Sequence, residues 1–199
     1  MERYKGIKFN VRFIDRTIPN FSQQKDLMRW GRKLSELGCI PIYSDPTDHT
    51  RICSAGNLSV RNDDDLIITA AGSNLSKLRE NDFVEVIDVD IEATLITVKG
   101  MHEPSSETML HNEIYKKRDD VNVIFHGHNS MILQNADALG LRSTKQHYPY
   151  GSVELVRSVL DILDKRNGFF IMKEHGFISL GKTCHEAGHL IINVLKNIK

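Results

Sequence analysis

The sequence predicts one α/β domain built on a mainly antiparallel sheet, and three observations carry that prediction. Four strand-like runs, 57–61, 66–69, 83–87 and 93–98, follow one another with short polar turns, which leaves no room for the crossover helices that parallel neighbours need. After residue 107 the apolar spacing changes to helical runs that alternate with short strands. A chain of 199 residues, 40% hydrophobic and 26% charged, suits a single core, and neither a repeat nor a low-complexity linker divides it.

In order along the chain, Ile7-Lys8-Phe9-Asn10-Val11-Arg12-Phe13 alternates as a strand or arm does and is closed by Pro19 and Asn20. Residues 1–21 are set apart as an N-terminal extension and 22–199 as the domain. Ser22 is placed as the N-cap of a helix reaching Leu37, with Leu27, Trp30, Leu34 and Leu37 on one face and Gly38 as its stop. Residues 39–54, rich in Pro, Asp, Thr and Ser, read as a loop. After the four strands come a helix from Glu107 to Lys117, a strand from Val121 to His126 and a helix from Ser130 to Leu139. An irregular stretch, 140–150, precedes a helix from Glu154 to Lys165. Strands Phe169–Lys173 and Phe177–Leu180 flank His175-Gly176. Thr183 caps the last helix, with Glu186 at capping-box spacing and Ala187, Leu190, Ile191, Val194 and Leu195 on its apolar face.

Charge and cysteine usage exclude several classes. Lys plus Arg equals Asp plus Glu at 26 each, so the chain has neither a basic footprint for nucleic acid nor a general attraction to anionic membranes. No apolar run is long enough to span a bilayer, and the N-terminus lacks a signal core. Cys39, Cys53 and Cys184 are scattered without a CxxC pair, which fits buried thiols in a reducing cytoplasm.

Chemistry concentrates in residues 104–128 and around 175. His126 and His128 are two apart, and alternate residues of a strand share a face, so both imidazoles can converge on one point. Metallo-β-lactamase-type hydrolases also use His-x-His but continue with Asp two residues on, where this chain has Ser130. His175 ends an apolar strand, and Gly176 lets the backbone turn sharply beside a bound group. With Glu107 these give three imidazoles and a displaceable carboxylate, a donor set that suits Zn²⁺ with one position open to substrate; Co²⁺ or Mn²⁺ can occupy similar ligands. His111, one helical turn after Glu107, is a rival ligand or a support for it. His49, His102, His147, His185 and His189 have no comparable setting. Asn57, Gly72 with Ser73, and Ser105 with Ser106 are small polar residues at turns, and the serines stand where a helix begins. Together they form an anion site of hydroxyls, an amide and backbone N–H groups.

Four ordered motifs, Ala55-Gly-Asn-Leu-Ser-Val-Arg61, Pro104-Ser-Ser-Glu-Thr-Met-Leu-His111, Val123-Ile-Phe-His-Gly-His128 and Glu174-His-Gly-Phe-Ile-Ser-Leu-Gly181, together resemble the class II aldolase/adducin family over residues 25–198. The nearest branch is that of the fuculose-phosphate aldolases. The resemblance implies a three-layer α/β/α fold around a mainly antiparallel sheet, and a homotetramer with sites between subunits. It implies a zinc site of His126, His128, His175 and Glu107, with Glu107 also the acid/base. It further implies that Asn57, Gly72, Ser105 and Ser106 hold the substrate phosphate, and that the reaction is cleavage of a ketose 1-phosphate to dihydroxyacetone phosphate and an aldehyde. Family epimerases carry Asp where this chain has Glu107, family dehydratases usually lack the Ser-Ser-Glu run, and adducin-type domains have no need of all four metal ligands. The chain departs from the family at the phosphate loop, where Thr69-Ala70-Ala71-Gly72 lacks a hydroxyl at position 71. The segment between the second and third histidines is short, which leaves Tyr148 and Tyr150 as the alternatives for a second acid. The family tail that supplies another tyrosine has no counterpart up to Lys199.

Overall fold

The computed structural model describes residues 6–45, 48, 50–165 and 167–198. His49 lies outside the described residues, as do parts of the expected extension and loop. Nine strands make one sheet, and its core is antiparallel. Strand β4 (Asn57–Asn62) turns back through Asp63, in left-handed backbone (φ 51°), into β5 (Asp65–Thr69). The sheet continues with β6 (Phe83–Asp90) and β7 (Leu95–Gly100) on one side, and on the other with β8 (Val123–Gly127), β11 (Gly176–Gly181) and β10 (Phe169–Met172). Each pairs antiparallel with its neighbour. Among the described residues parallel pairing occurs only at the two edges, where β1 (Asn10–Asp15) joins β7 and the two-residue β9 (Arg142–Ser143) joins β10.

Helices cover both faces, because alternate residues of each central strand are apolar on both sides. On one face α2 (Thr108–Lys117) and α4 (Val153–Ile162) set Leu110, Ile114, Leu155 and Val159 against Ile68, Val84, Ile124 and Ile178. On the other, α1 (Gln24–Glu36), α3 (Ser130–Gln134) and α5 (Cys184–Lys196) bring Leu27, Trp30, Ile132 and Ile191 onto Leu58, Ile67, Phe125 and Phe177. The three-layer α/β/α fold is therefore present, with a sheet antiparallel except at its edges. Within the segment separated as an extension, β1 hydrogen-bonds to the sheet and Phe9 is buried in its core.

Several local expectations are corrected. Ser22 does not cap α1: its hydroxyl donates to the Gln23 side chain, Gln23 is the N-cap position, and no side chain caps the helix. The stretch read as a loop holds a two-stranded ribbon, β2 (Ile42–Ser44) with β3 (Ile52–Ser54), each strand too short for alternation to register. The irregular 140–150 segment contributes β9. The helix expected to reach Leu139 ends at Gln134, and the chain continues as turns to Gly140, where φ is +64°. At α5 the expected cap is present: Thr183 Oγ1 accepts from Glu186 N at 3.1 Å, and the Glu186 carboxylate accepts from Lys182 N at 2.7 Å. Cys39, Cys53 and Cys184 are free and buried. Among the described residues no helix is long and apolar enough to cross a membrane.

Candidate metal centre and substrate cavity

His126 is the second-last residue of β8 and shares the sheet face of Ile124, the face that α2 covers. His128 lies just past the strand end. The strand period brings the rings within 4.6 Å of each other, centroid to centroid. His175 comes from the tight connection between β10 and β11, with its ring 5.2 Å from both. One ligand atom from each of the three lies within 4.8 Å of the others, a group able to hold a metal ion.

The turn is made differently from the sequence reading. Glu174 takes the left-handed backbone (φ 58°), and Gly176 serves a steric need. A Cβ at position 176 would stand 2.5 Å from the Gly127 carbonyl and 2.7 Å from Cε1 of His126. Gly176 thus lets β11 pass directly beneath the imidazoles.

The ring nitrogens are sorted by backbone carbonyls. A carbonyl can only accept, so Nδ1–H of His126 donates to Phe177 O (2.9 Å) and Nδ1–H of His128 donates to His175 O (2.8 Å). Burial keeps both rings neutral, pushing His126 down to about 3 and His128 well below its usual value. Their Nε2 lone pairs are the atoms left for a ligand.

Glu107, the N-cap residue of α2, is 3% exposed and completes the cluster. Its Oε2 lies 3.1 Å from Nε2 of His126, and its Oε1 lies 3.1 Å from Nε2 of His175. The His126 contact sets a carboxylate oxygen against a lone pair, two acceptors face to face, an arrangement that a shared cation satisfies. Oε1 has no hydrogen-bonding partner despite its short distance to His175. Two neutral imidazole nitrogens and a buried, under-satisfied carboxylate fit a divalent ion of the zinc type. His111, the rival ligand, is outside the cluster: its Nδ1 is 2.7 Å from Ser59 Oγ, and the ring is fully buried.

These groups line one cavity of about 280 Å³ together with Asn57, Gly72, Ser105 and Ser106. Asn57, at the start of β4 opposite His126, donates its amide to Glu107 Oε2 at 3.4 Å. The loops that carry Gly72 and Ser105 are stitched by backbone bonds, from Ala71 N to Glu103 O (2.9 Å) and from Ser105 N to Thr69 O (3.2 Å). Gly72 has φ +70°, and the Ser105 hydroxyl accepts a long 3.4 Å bond from Glu107 N. Ala71 brings a methyl group to the cavity, as its sequence requires, while Ser54 and Ser73 bring hydroxyls to it. Of the two tyrosines, Tyr150 lines the cavity and donates to Gly6 O (3.2 Å), whereas Tyr148 packs against the core under α2 and α4. Tyr43, His147 and Glu174 also line it, and sequence reasoning singled out none of them. Tyr43 and Ser54 sit on the ribbon that was read as a loop, and His147 sits in the stretch read as irregular. His185 and His189 stack on each other, centroids 4.0 Å apart, on α5 on the opposite side of the sheet.

Comparison with known proteins agrees with this geometry. Residues 48–198 match the family model for the class II aldolase and adducin N-terminal domain. An L-fuculose phosphate aldolase of Methanocaldococcus jannaschii is 32% identical over 157 residues, 72% of this chain and 81% of that protein. A 5-methylthioribulose-1-phosphate/5-deoxyribulose-1-phosphate aldolase of Rhodospirillum rubrum is 31% identical over 157 residues, 71% of this chain and 67% of that one. Among solved structures, an L-fuculose 1-phosphate aldolase superposes with a TM-score of 0.68 at 22% identity, over 90% of this chain and 84% of that chain. On the family match and these relatives, the chain belongs to the class II aldolase and adducin family.

Proposed function

We propose that this protein is a zinc-dependent aldolase that cleaves a ketose 1-phosphate to dihydroxyacetone phosphate and an aldehyde by a retro-aldol reaction. The observation that carries the reading is Glu107, held 3.1 Å from two ligand-type imidazole nitrogens in the same cavity as a separate anion cradle. His126, His128 and His175 would hold the ion, with Glu107 as a displaceable fourth ligand; Co²⁺ or Mn²⁺ suits the same donors. A divalent cation there supplies Lewis acidity toward the negative charge that grows on the ketone oxygen as the carbon–carbon bond breaks.

Asn57, Gly72, Ser105 and Ser106 bind the phosphate and fix the reacting carbons against the carboxylate. Glu107 moves the proton at the carbon next to the carbonyl, taking it from dihydroxyacetone phosphate in synthesis and returning it in cleavage. Tyr150, which lines the cavity, gives a proton to the aldehyde oxygen in synthesis and takes it back in cleavage, exchanging its bond to Gly6 O for one to the substrate. The two relatives named above are both described as aldolases of sugar phosphates, and Glu in place of Asp at position 107 supports the same choice over epimerisation. A cytoplasmic homotetramer with sites between subunits belongs to this reading.

The test is direct. Metal-replete protein is incubated with a panel of five- and six-carbon ketose 1-phosphates, and dihydroxyacetone phosphate is measured by coupled reduction. Release from at least one member is expected; release from none rejects the aldolase reading.

A further inference from the structure

Beneath the cavity lies a polar chain that the proposed chemistry leaves unexplained. Tyr115 OH is 2.8 Å from Ser59 Oγ, and Ser59 Oγ is 2.7 Å from Nδ1 of His111, with all three side chains, two from α2 and one from β4, buried. Each hydroxyl has one proton to give, so the chain runs from the Tyr115 phenol to the Ser59 oxygen and from the Ser59 hydroxyl to Nδ1 of His111 when the phenol is the first donor. In that order Nδ1 accepts, and the ring carries a proton on Nε2.

Among the described residues that Nε2 has no hydrogen-bonding partner, and Oε1 of Glu107 has none either, although it lies 3.1 Å from Nε2 of His175 on the metal side. One is a buried donor and the other a buried acceptor. The backbone bond from His111 N to Glu107 O (3.1 Å) sets the two side chains one helical turn apart on the same face. A buried donor without an acceptor is costly, and such groups in a folded protein ordinarily answer to a second state or a ligand.

We propose that His111 is a positioning residue whose Nε2–H receives the Glu107 carboxylate when it swings away from the three imidazoles. The polar chain from Tyr115 through Ser59 fixes the tautomer that makes this possible. His111 would hold the carboxylate in the orientation from which it moves the substrate proton, and would leave phosphate binding and metal binding to other groups. The proposal rests on the proton-transfer role given to Glu107 above, while its tautomer component stands independently of it.

Two measurements test it. In two-bond ¹H–¹⁵N spectra of the metal-free protein, His111 is expected as a neutral ring protonated at Nε2, and Ser59→Ala should disturb that tautomer. A ring protonated at Nδ1 overturns the assignment whatever the enzyme's activity. In steady-state kinetics, His111→Phe should lower kcat by roughly 10- to 100-fold at unchanged metal content and KM, the loss of one hydrogen bond to a charged group, while His111→Gln, whose amide N–H occupies the Nε2 position, should stay within ~3-fold of wild type. A His111→Phe protein with unchanged kcat, or a Gln variant as impaired as Phe at equal metal content, overturns the proposal. Should His111→Phe not fold, the Gln and Ser59→Ala variants carry the test. Should wild-type protein cleave no ketose phosphate, the aldolase reading falls and the tautomer measurement still decides the proton placement.

Discussion

The two ends of the cavity are built from different kinds of structure. At the metal end, His126, His128 and His175 hang from adjacent central strands or their tight connection, and two of the rings are locked by main-chain carbonyls at 2.9 and 2.8 Å. At the anion end, Gly72, Ser105 and Ser106 sit on loops held by backbone bonds. Rigid strands place ligands whose geometry must be met all at once. Loops offer several interchangeable donors, each contributing a share. Damage at the first end should therefore abolish function, and damage at the second should grade it.

The largest effect is expected from Glu107→Gln, which keeps the shape but removes the base. Turnover should fall by ~10²–10⁴ with the thermal melt preserved. Dihydroxyacetone phosphate release and circular dichroism check it, and full activity in a folded variant would refute the acid/base role. Gly176→Ala comes next. Its methyl group would press on the Gly127 carbonyl and the His126 ring, so metal affinity should drop by roughly 10–100-fold, as for other losses of ligand orientation. Metal titration of the purified variant reads this; unchanged affinity would mean that the ring position tolerates movement. At the other end, Ser105→Ala removes one of the several donors proposed to hold the phosphate. Its KM for a ketose phosphate should rise by about tenfold, with kcat little changed, as expected for one hydrogen bond to a charged group. An equal loss in kcat would place Ser105 with the metal end and break the contrast.

The smallest effect is one on stability, and it comes from acid. His111 and His126 are both pushed down to about 3 by burial. The unfolded chain therefore binds more protons than the folded one between about pH 6.5 and 3. Stability is full above the unfolded value and is lost as pH falls through that window, by roughly 1 kcal/mol per pH unit for each group. Denaturant melts of the metal-free protein should show this slope. His111→Phe should flatten it, and an unchanged slope would mean that His111 is not buried neutral.

The sequence displayed the parts of the site whose geometry is local. A spacing of two on a strand sets His126 and His128 on one face whatever the fold, and the Thr183–Glu186 cap is complete within four residues. It concealed the parts that depend on distant contacts. Glu107 with His111 and His185 with His189 have the same spacing, yet His111 is entirely buried and His185 is exposed. Only the sheet decides which helix face is covered. The role of Gly176 was misread for the same reason, because its neighbours, Gly127 and His126, come from another strand. Tyr43 and Ser54 were hidden by strands of three residues, too short for alternation to register. Tyr150 and Tyr148 have equivalent surroundings in sequence, and only their packing separates them.

The account stands most squarely on the metal centre, and elemental analysis of the purified protein after zinc loading and gel filtration tests it in one measurement. About one zinc per chain is expected for wild type, with most of it lost in His175→Ala while the variant remains folded. A folded wild-type protein that retains no metal, or a His175→Ala variant that retains it in full, would contradict the account.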